Sequence, residues 1–181
     1  MPRTLSYIID INDIIISANH GFGKFASENN AKDLAKSIIG ESIWKFIYFD
    51  EVHRLYQRLF EAIRKTDKEI TLNFRCDSHN VLRFMKMYIE PIGENNLQIK
   101  TKLIRQVDRT KMLSREILFL GIHSGTPMCS HCNKIYINEK SVWLEIDEAI
   151  EKNLIGRELS VNFKMCEDCI NEFNGIILEL E

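Results

Sequence analysis

The sequence predicts an α+β protein, with a five-stranded antiparallel sheet and helices on one side of it, followed by a small cysteine-rich module. Two observations carry this reading. Over residues 1–107, strand-like alternation occurs in consecutive segments at both ends, with helical periodicity between them. Four of the five cysteines then fall in two Cys-x-x-Cys pairs confined to the C-terminal third of the 181 residues.

Taken in order, Ser6 to Ile9 and Ile14 to Ala18 read as short, isoleucine-rich strands. Asp10-Ile-Asn-Asp13 joins them as a hairpin, because Asp and Asn bond their own backbone and tolerate left-handed geometry. Short helical pieces are expected around Phe22 to Glu28 and Ala31 to Ser37, with Gly40 as a helix stop. The clearest helix spans about Glu51 to Lys65. There Val52, Leu55, Tyr56, Leu59, Phe60 and Ile63 form one stripe, and Asp50 takes the N-cap position. Ile70, Leu72, Phe74 and Cys76 alternate with Glu69, Thr71, Asn73 and Arg75, giving a strand with one buried and one wet face. Arg75, Arg83 and Lys86 read as the solvated face of the sheet. Val81 to Ile89 and Leu97 to Val107 supply two further strands, with turns at Asp77-Ser-His-Asn80 and Gly93-Glu-Asn-Asn96. Asp108 to Leu120 reads as a connecting helix, broken by Gly121-Ile-His-Ser-Gly-Thr-Pro127. The expected organisation is a sheet domain over 1–107, a connector over 108–125 and a cysteine-rich module over 126–181.

The pairs are Cys129-Ser-His-Cys132 and Cys166-Glu-Asp-Cys169, thirty-three residues apart. Each pair puts two thiolates on one tight turn, and four soft ligands are the set tetrahedral zinc prefers. The interval allows a helix between two knuckles, and Trp143, Ile146, Ile150 and Leu154 read as its packing face. A segment this small supplies about 3–5 kcal/mol from burial. Structural zinc can add an apparent ~10 kcal/mol or more to folding. Four thiolates close the coordination sphere and leave no position for a catalytic water, so zinc here would be structural. A redox switch built on the paired thiols is the alternative. His131, inside the first pair, reads as a surface residue, His123 has no recognisable partner, and Cys76 reads as a small buried hydrophobe.

Composition narrows the function. The chain is 45% apolar and 28% charged, close to the globular average, so most of it is expected to fold. No apolar run is long enough to cross a membrane, and the Met1-Pro2-Arg3 start does not resemble a signal peptide. With an odd fifth cysteine, a secreted disulfide framework is not expected, and the cytoplasm is the default location. The net charge of −2 conceals an asymmetry. Residues 126–181 hold five Lys/Arg against eleven Asp/Glu, near −6, which leaves the first 125 residues near +4. An acidic module suits nucleic-acid phosphates poorly, so no nucleic-acid partner is expected. Gly21-Phe-Gly23-Lys24 lacks phosphate-loop spacing, and no catalytic signature occurs, so no enzyme is expected.

The ordered set Asp10-Ile-Asn-Asp13, Asn19 with Phe22 and Phe25, and Gly40-Glu-Ser-Ile-Trp-Lys-Phe-Ile47 resembles a PAS sensor domain. Phe74-Arg-Cys-Asp-Ser78 followed by Arg83-Phe-Met-Lys-Met87 extends the resemblance, which covers roughly residues 5 to 107. The segment from Cys129 through Trp143 to Cys169 is similar to a cysteine-rich end on some bacterial PAS and response-regulator proteins. Phe163 and Glu167 stand near places where that pattern commonly has a His and a Pro. The resemblance implies a non-enzymatic signal-transduction sensor or docking module, a homodimer with an unidentified signalling partner. In it, an unidentified ligand would shift sheet–helix packing. Trp44, Phe46, His53, Phe74 and Met85 are its candidate cavity lining, each also readable as ordinary core. Haem-binding PAS sensors carry their proximal histidine on the helix corresponding to that of His53, so a haem-based gas sensor is a further alternative. The flavin light-sensor motif is absent.

Overall fold

In the computed structural model, which describes residues 4–21, 37–47, 49–78, 80–109, 118–119, 125–155 and 159–181, the first hairpin forms as its turn residues require. Strands β1 (Thr4–Ile9) and β2 (Ile15–Ala18) pair antiparallel. The Asp10 carboxylate accepts from the backbone N–H groups of Asn12 and Ile14, both at 2.9 Å. Asp13 takes the left-handed conformation at φ 61°. Asp13 also does more than turn the chain. It accepts from Trp44 Nε1 at 3.0 Å and from Arg64 at 2.7 Å, tying the hairpin to two later segments.

Helix α1 (Asp50–Thr66) buries Val52, Leu55, Leu59, Phe60, Ala62 and Ile63, nearly the expected stripe. Tyr56 is only half-buried. Phe49, not Asp50, is the N-cap residue, and no side chain caps the helix. Asp50 and Glu51 instead lie in the first turn, where negative charge opposes the helix dipole. Three strands follow: β3 (Ile70–Arg75), β4 (Val81–Ile92) and β5 (Asn96–Asp108). They complete a five-stranded antiparallel sheet in the order β2-β1-β5-β4-β3, with Tyr7 opposite Ile99 and Ile9 opposite Leu97. Ile9, Ile15, Leu72, Ile89, Leu97 and Ile99 are buried, so the alternation seen in the sequence does place one face in the core.

The chain divides into two compact units whose segments alternate in sequence. One comprises Met1–Asn73, Met85–Ile104 and Phe173–Glu181, and the other Phe74–Phe84 and Arg105–Glu172. The second unit holds a mixed sheet of β6 (Leu118–Phe119), β7 (Thr126–Cys129), β8 (Ile135–Ile137), β9 (Val142–Leu144) and β10 (Ser160–Lys164). Their order is β6-β10-β7-β8-β9, with β10 parallel to both β6 and β7 and the remaining pairs antiparallel. Leu118 and Phe119 therefore lie in a strand where a connecting helix was expected. The pairing with Ser160 and Val161 outweighs a local preference that the sequence states only weakly.

The expected helix face is also corrected. Trp143 lies on β9, and only Ile146 and Ile150 of that set belong to the short helix α2 (Ile146–Glu151). Met128, Ile135, Ile137, Ile146, Ala149, Leu159 and Val161 form a buried cluster, with Leu144, Leu154 and Phe163 packed against it. The cysteine-bearing unit thus has an apolar core of its own. Helix α3 (Glu167–Leu180) closes the chain, beginning in this unit and ending in the other. The helical pieces expected over Phe22 to Ser37 fall almost entirely outside the described residues, as do His123 and most of the 108–125 connector. No described helix is long and apolar enough to cross a membrane.

Candidate metal centre

Parallel pairing of β7 with β10 explains how two distant Cys-x-x-Cys pairs meet. In the parallel register Lys164 lies opposite Cys129, so both strands end on the same side of the sheet and each runs directly into its pair. The close approach at the start of β7 depends on Gly125, at φ +101°. A Cβ there would stand 2.8 Å from the Ser160 carbonyl oxygen. The first pair then turns tightly: Cys129 N–H donates to Lys134 O at 2.7 Å, and Asn133 N–H to Cys129 O at 3.0 Å. Asn133 takes φ 61°, the left-handed position of that turn. Ser130 N–H donates to Lys164 O at 2.8 Å, fastening the first knuckle to the strand that leads into the second.

All four sulfurs lie within 4.8 Å of one another. Cys129 Sγ is 3.8 Å from Cys169 Sγ, and Cys132 Sγ is 3.7 Å from Cys166 Sγ. These spacings fit a metal tetrahedron, whose edges are about 3.8 Å when metal–sulfur bonds are about 2.3 Å. They are far from the ~2.05 Å of a disulfide, and all five cysteines are free. Cys129, Cys166 and Cys169 are buried, whereas Cys132 is half-buried and is the most accessible of the four. The cluster can hold a metal ion through four sulfur ligands.

The sulfurs also share charge unequally. Hydrogen bonding with the Cys132 and then the Cys169 side chain, with backbone N–H groups of Cys132 and Cys166, holds Cys129 far below the ordinary thiol range despite its burial. Those two N–H groups lie 3.5 and 3.4 Å from Cys129 Sγ. Hydrogen bonding with Cys129 pushes Cys132 up to about 12, and hydrogen bonding with Cys129 and Cys132 pushes Cys169 up as well.

His131 corrects the sequence reading: it is only 6% exposed, and its ring faces Phe74 at 6.3 Å. Its carbonyl accepts from Arg75 N–H at 2.8 Å, so the first knuckle is bonded to the end of β3. Arg75 is the second correction. Its side chain is 8% exposed rather than solvated, and it makes two bonds to Asp77 at 3.0 and 2.6 Å and two to Glu145 at 3.3 and 3.2 Å. Burial alone would lower its pKa, but hydrogen bonding and charge from Asp77, then from Glu145, hold it above its ordinary value. The Arg75 guanidinium also covers the Phe84 ring at 4.4 Å. Strand alternation alone gave no sign of this, because it does not foresee a partner seventy residues away.

The five candidate pocket residues separate. Trp44 and His53 stack at 4.3 Å, in a 3-10 turn (Ile43–Phe46) and on α1 respectively. Phe46 ends that same turn, half-buried. Met85 is half-buried on β4, and Phe74 belongs to the cysteine-bearing unit, against His131. A cavity of about 390 Å³ along α1 is lined by Arg58, Glu61, Ala62, Lys65, Thr66, Leu180 and Glu181, none of which is among the five. Cys76 is half-buried, with burial raising its thiol. No protein-family model matches the chain, and no curated protein sequence matches it.

Proposed function

We propose that this protein is a non-enzymatic signalling module, a PAS-like sensor or docking domain stapled by a structural zinc ion. The observation that carries the metal half is the set of sulfur–sulfur separations near a tetrahedral edge, in a chain whose two knuckles converge by parallel strand pairing. Cys129, Cys132, Cys166 and Cys169 would hold the ion, which when bound supplies fixed geometry and no open position for water. The sensor half is supported by the five-stranded antiparallel sheet and by the helical connection between β2 and β3, the element order that the family resemblance implies. A ligand or partner that favours one packing of that domain would shift its population.

Native mass spectrometry of protein purified without chelator tests this reading. One zinc ion per chain is the expected result. A chain without stoichiometric metal whose knuckles already resist protease would overturn it. A thiol redox sensor is the second reading, and the half-buried Cys132, 3.7 Å from Cys166 Sγ, favours it. In that case a mild oxidant would consume thiols pairwise and release any zinc.

A further inference from the structure

Residues Phe74–Phe84, the end of β3 and the start of β4, share a compact unit with the four cysteines. This hairpin is joined to the cysteine module at three points. Arg75 N–H donates to the carbonyl of His131, the residue immediately before the ligand Cys132. The Phe74 ring faces the His131 ring. An almost fully buried ion network supplies the third. Asp77, with a 6% exposed side chain, receives Arg75, the Arg83 backbone N–H at 2.9 Å and Arg109 at 3.5 Å. Arg109, only 2% exposed, passes the link on to Asp147 of α2 at 2.7 Å and to Ser78 O at 3.1 Å. Arg75 reaches Glu145, just before α2, from the other side.

Two arginines and one aspartate this deeply buried would be costly unless each were paired. Their pairing is complete only while the hairpin, Arg109 and the start of α2 hold their places. Losing the hairpin or the start of α2 leaves a buried charge uncompensated, so these charges behave as one cooperative element, tied to the first knuckle through the Arg75 backbone N–H.

We infer that the Phe74–Phe84 hairpin is the outer shell of the metal centre, with Arg75 and Asp77 as positioning residues, so that metal occupancy sets the order of this hairpin. The inference rests on the metal reading above and adds the element that senses the ion. Outer-shell partners fix ligand geometry, and their loss commonly weakens metal binding by about 10–100-fold. Linkage makes the effect reciprocal: whatever the metal does for the hairpin, the hairpin does for metal affinity.

The test uses the full chain loaded with zinc. Elemental analysis comes first, because absence of zinc sinks the metal reading itself, whereas the later arms address only the coupling. Hydrogen exchange by mass spectrometry is then compared for zinc-loaded and chelator-stripped protein. Exchange over Phe74–Phe84 is expected to rise about tenfold or more on stripping, while Ile135–Leu144 in the apolar core stays protected. Asp77→Asn, which removes the charge and keeps the shape, is expected to speed zinc transfer to a chelating dye about tenfold. Should that variant not fold, Glu145→Gln, at the more exposed arm, is expected to accelerate transfer in the same direction. Unchanged exchange in the hairpin, transfer at the wild-type rate in a folded variant, or uniform exposure of the whole unit on stripping would each overturn the coupling.

Discussion

Raised thiols at Cys132 and Cys169 make metal binding a proton-releasing reaction. Cys132, pushed up to about 12, and Cys169, also raised, must give up protons before they can ligate. Zinc entry near neutral pH should therefore release at least two protons. Affinity should fall as pH is lowered, since protons and metal compete for the same sulfurs. Calorimetry in buffers of different ionisation enthalpy measures the number released, and a value near zero would mean that the thiols are already ionised. A second residue-scale prediction concerns Asp13, which receives Trp44 Nε1 and Arg64 at a position of positive φ. Asn tolerates that backbone, so Asp13→Asn tests the charge alone. A loss of about 1.5–3 kcal/mol is expected by denaturant unfolding, the usual worth of hydrogen bonds to a charged group. The turn role of Asp13 was legible from Asp10-Ile-Asn-Asp13. Its bond to Arg64 was not, because nothing local encodes a partner fifty-one residues on.

At the scale of elements, legibility followed length. Helix α1 and strands β3, β4 and β5 are each long enough to display a period, and each was readable to within a few residues. Strand β6 has two residues, and β8 and β9 have three each, too few to show alternation. Their partners across the sheet, not their own sequence, make them strands. The four-cysteine cluster was readable because two tight turns of soft ligands form a local signal whatever lies between them. The apolar cluster around Ile135 and Val161 was missed for the same reason as the strands, and it changes what metal loss should do. A module held together by the ion alone would unfold beyond about Pro127 in Cys166→Ser. With a core in place, Cys166→Ser should instead lose zinc and open protease sites near Ser130–Asn133 and Met165–Asp168, leaving β8 through α2 resistant. Limited proteolysis read by mass spectrometry checks this, and complete digestion of residues 126–181 would show that the core does not suffice without the ion.

For the whole molecule, the exposed apolar residues bear on how the chain associates. Ile11, Ile16 and Ile104, 56%, 45% and 55% exposed, are among the exposed large apolar residues of the described chain. Ile11 and Ile16 belong to the first hairpin, and Ile104 to the far part of β5. These are the first hairpin and a sheet strand, two candidate surfaces for the homodimer expected from the sequence. A symmetric dimer would remove one of these sites from water on both copies at once, since the same patch meets itself across a two-fold axis. Multi-angle light scattering at tens of micromolar should then return twice the chain mass. Ile104→Glu and Ile11→Glu, made separately, place a charge at each site without touching the described core. The variant at the true interface should shift to monomer, because two like charges would meet across the axis, while the other should stay dimeric. A wild-type chain that remains monomeric throughout that range would overturn the expected homodimer and leave the metal centre untouched.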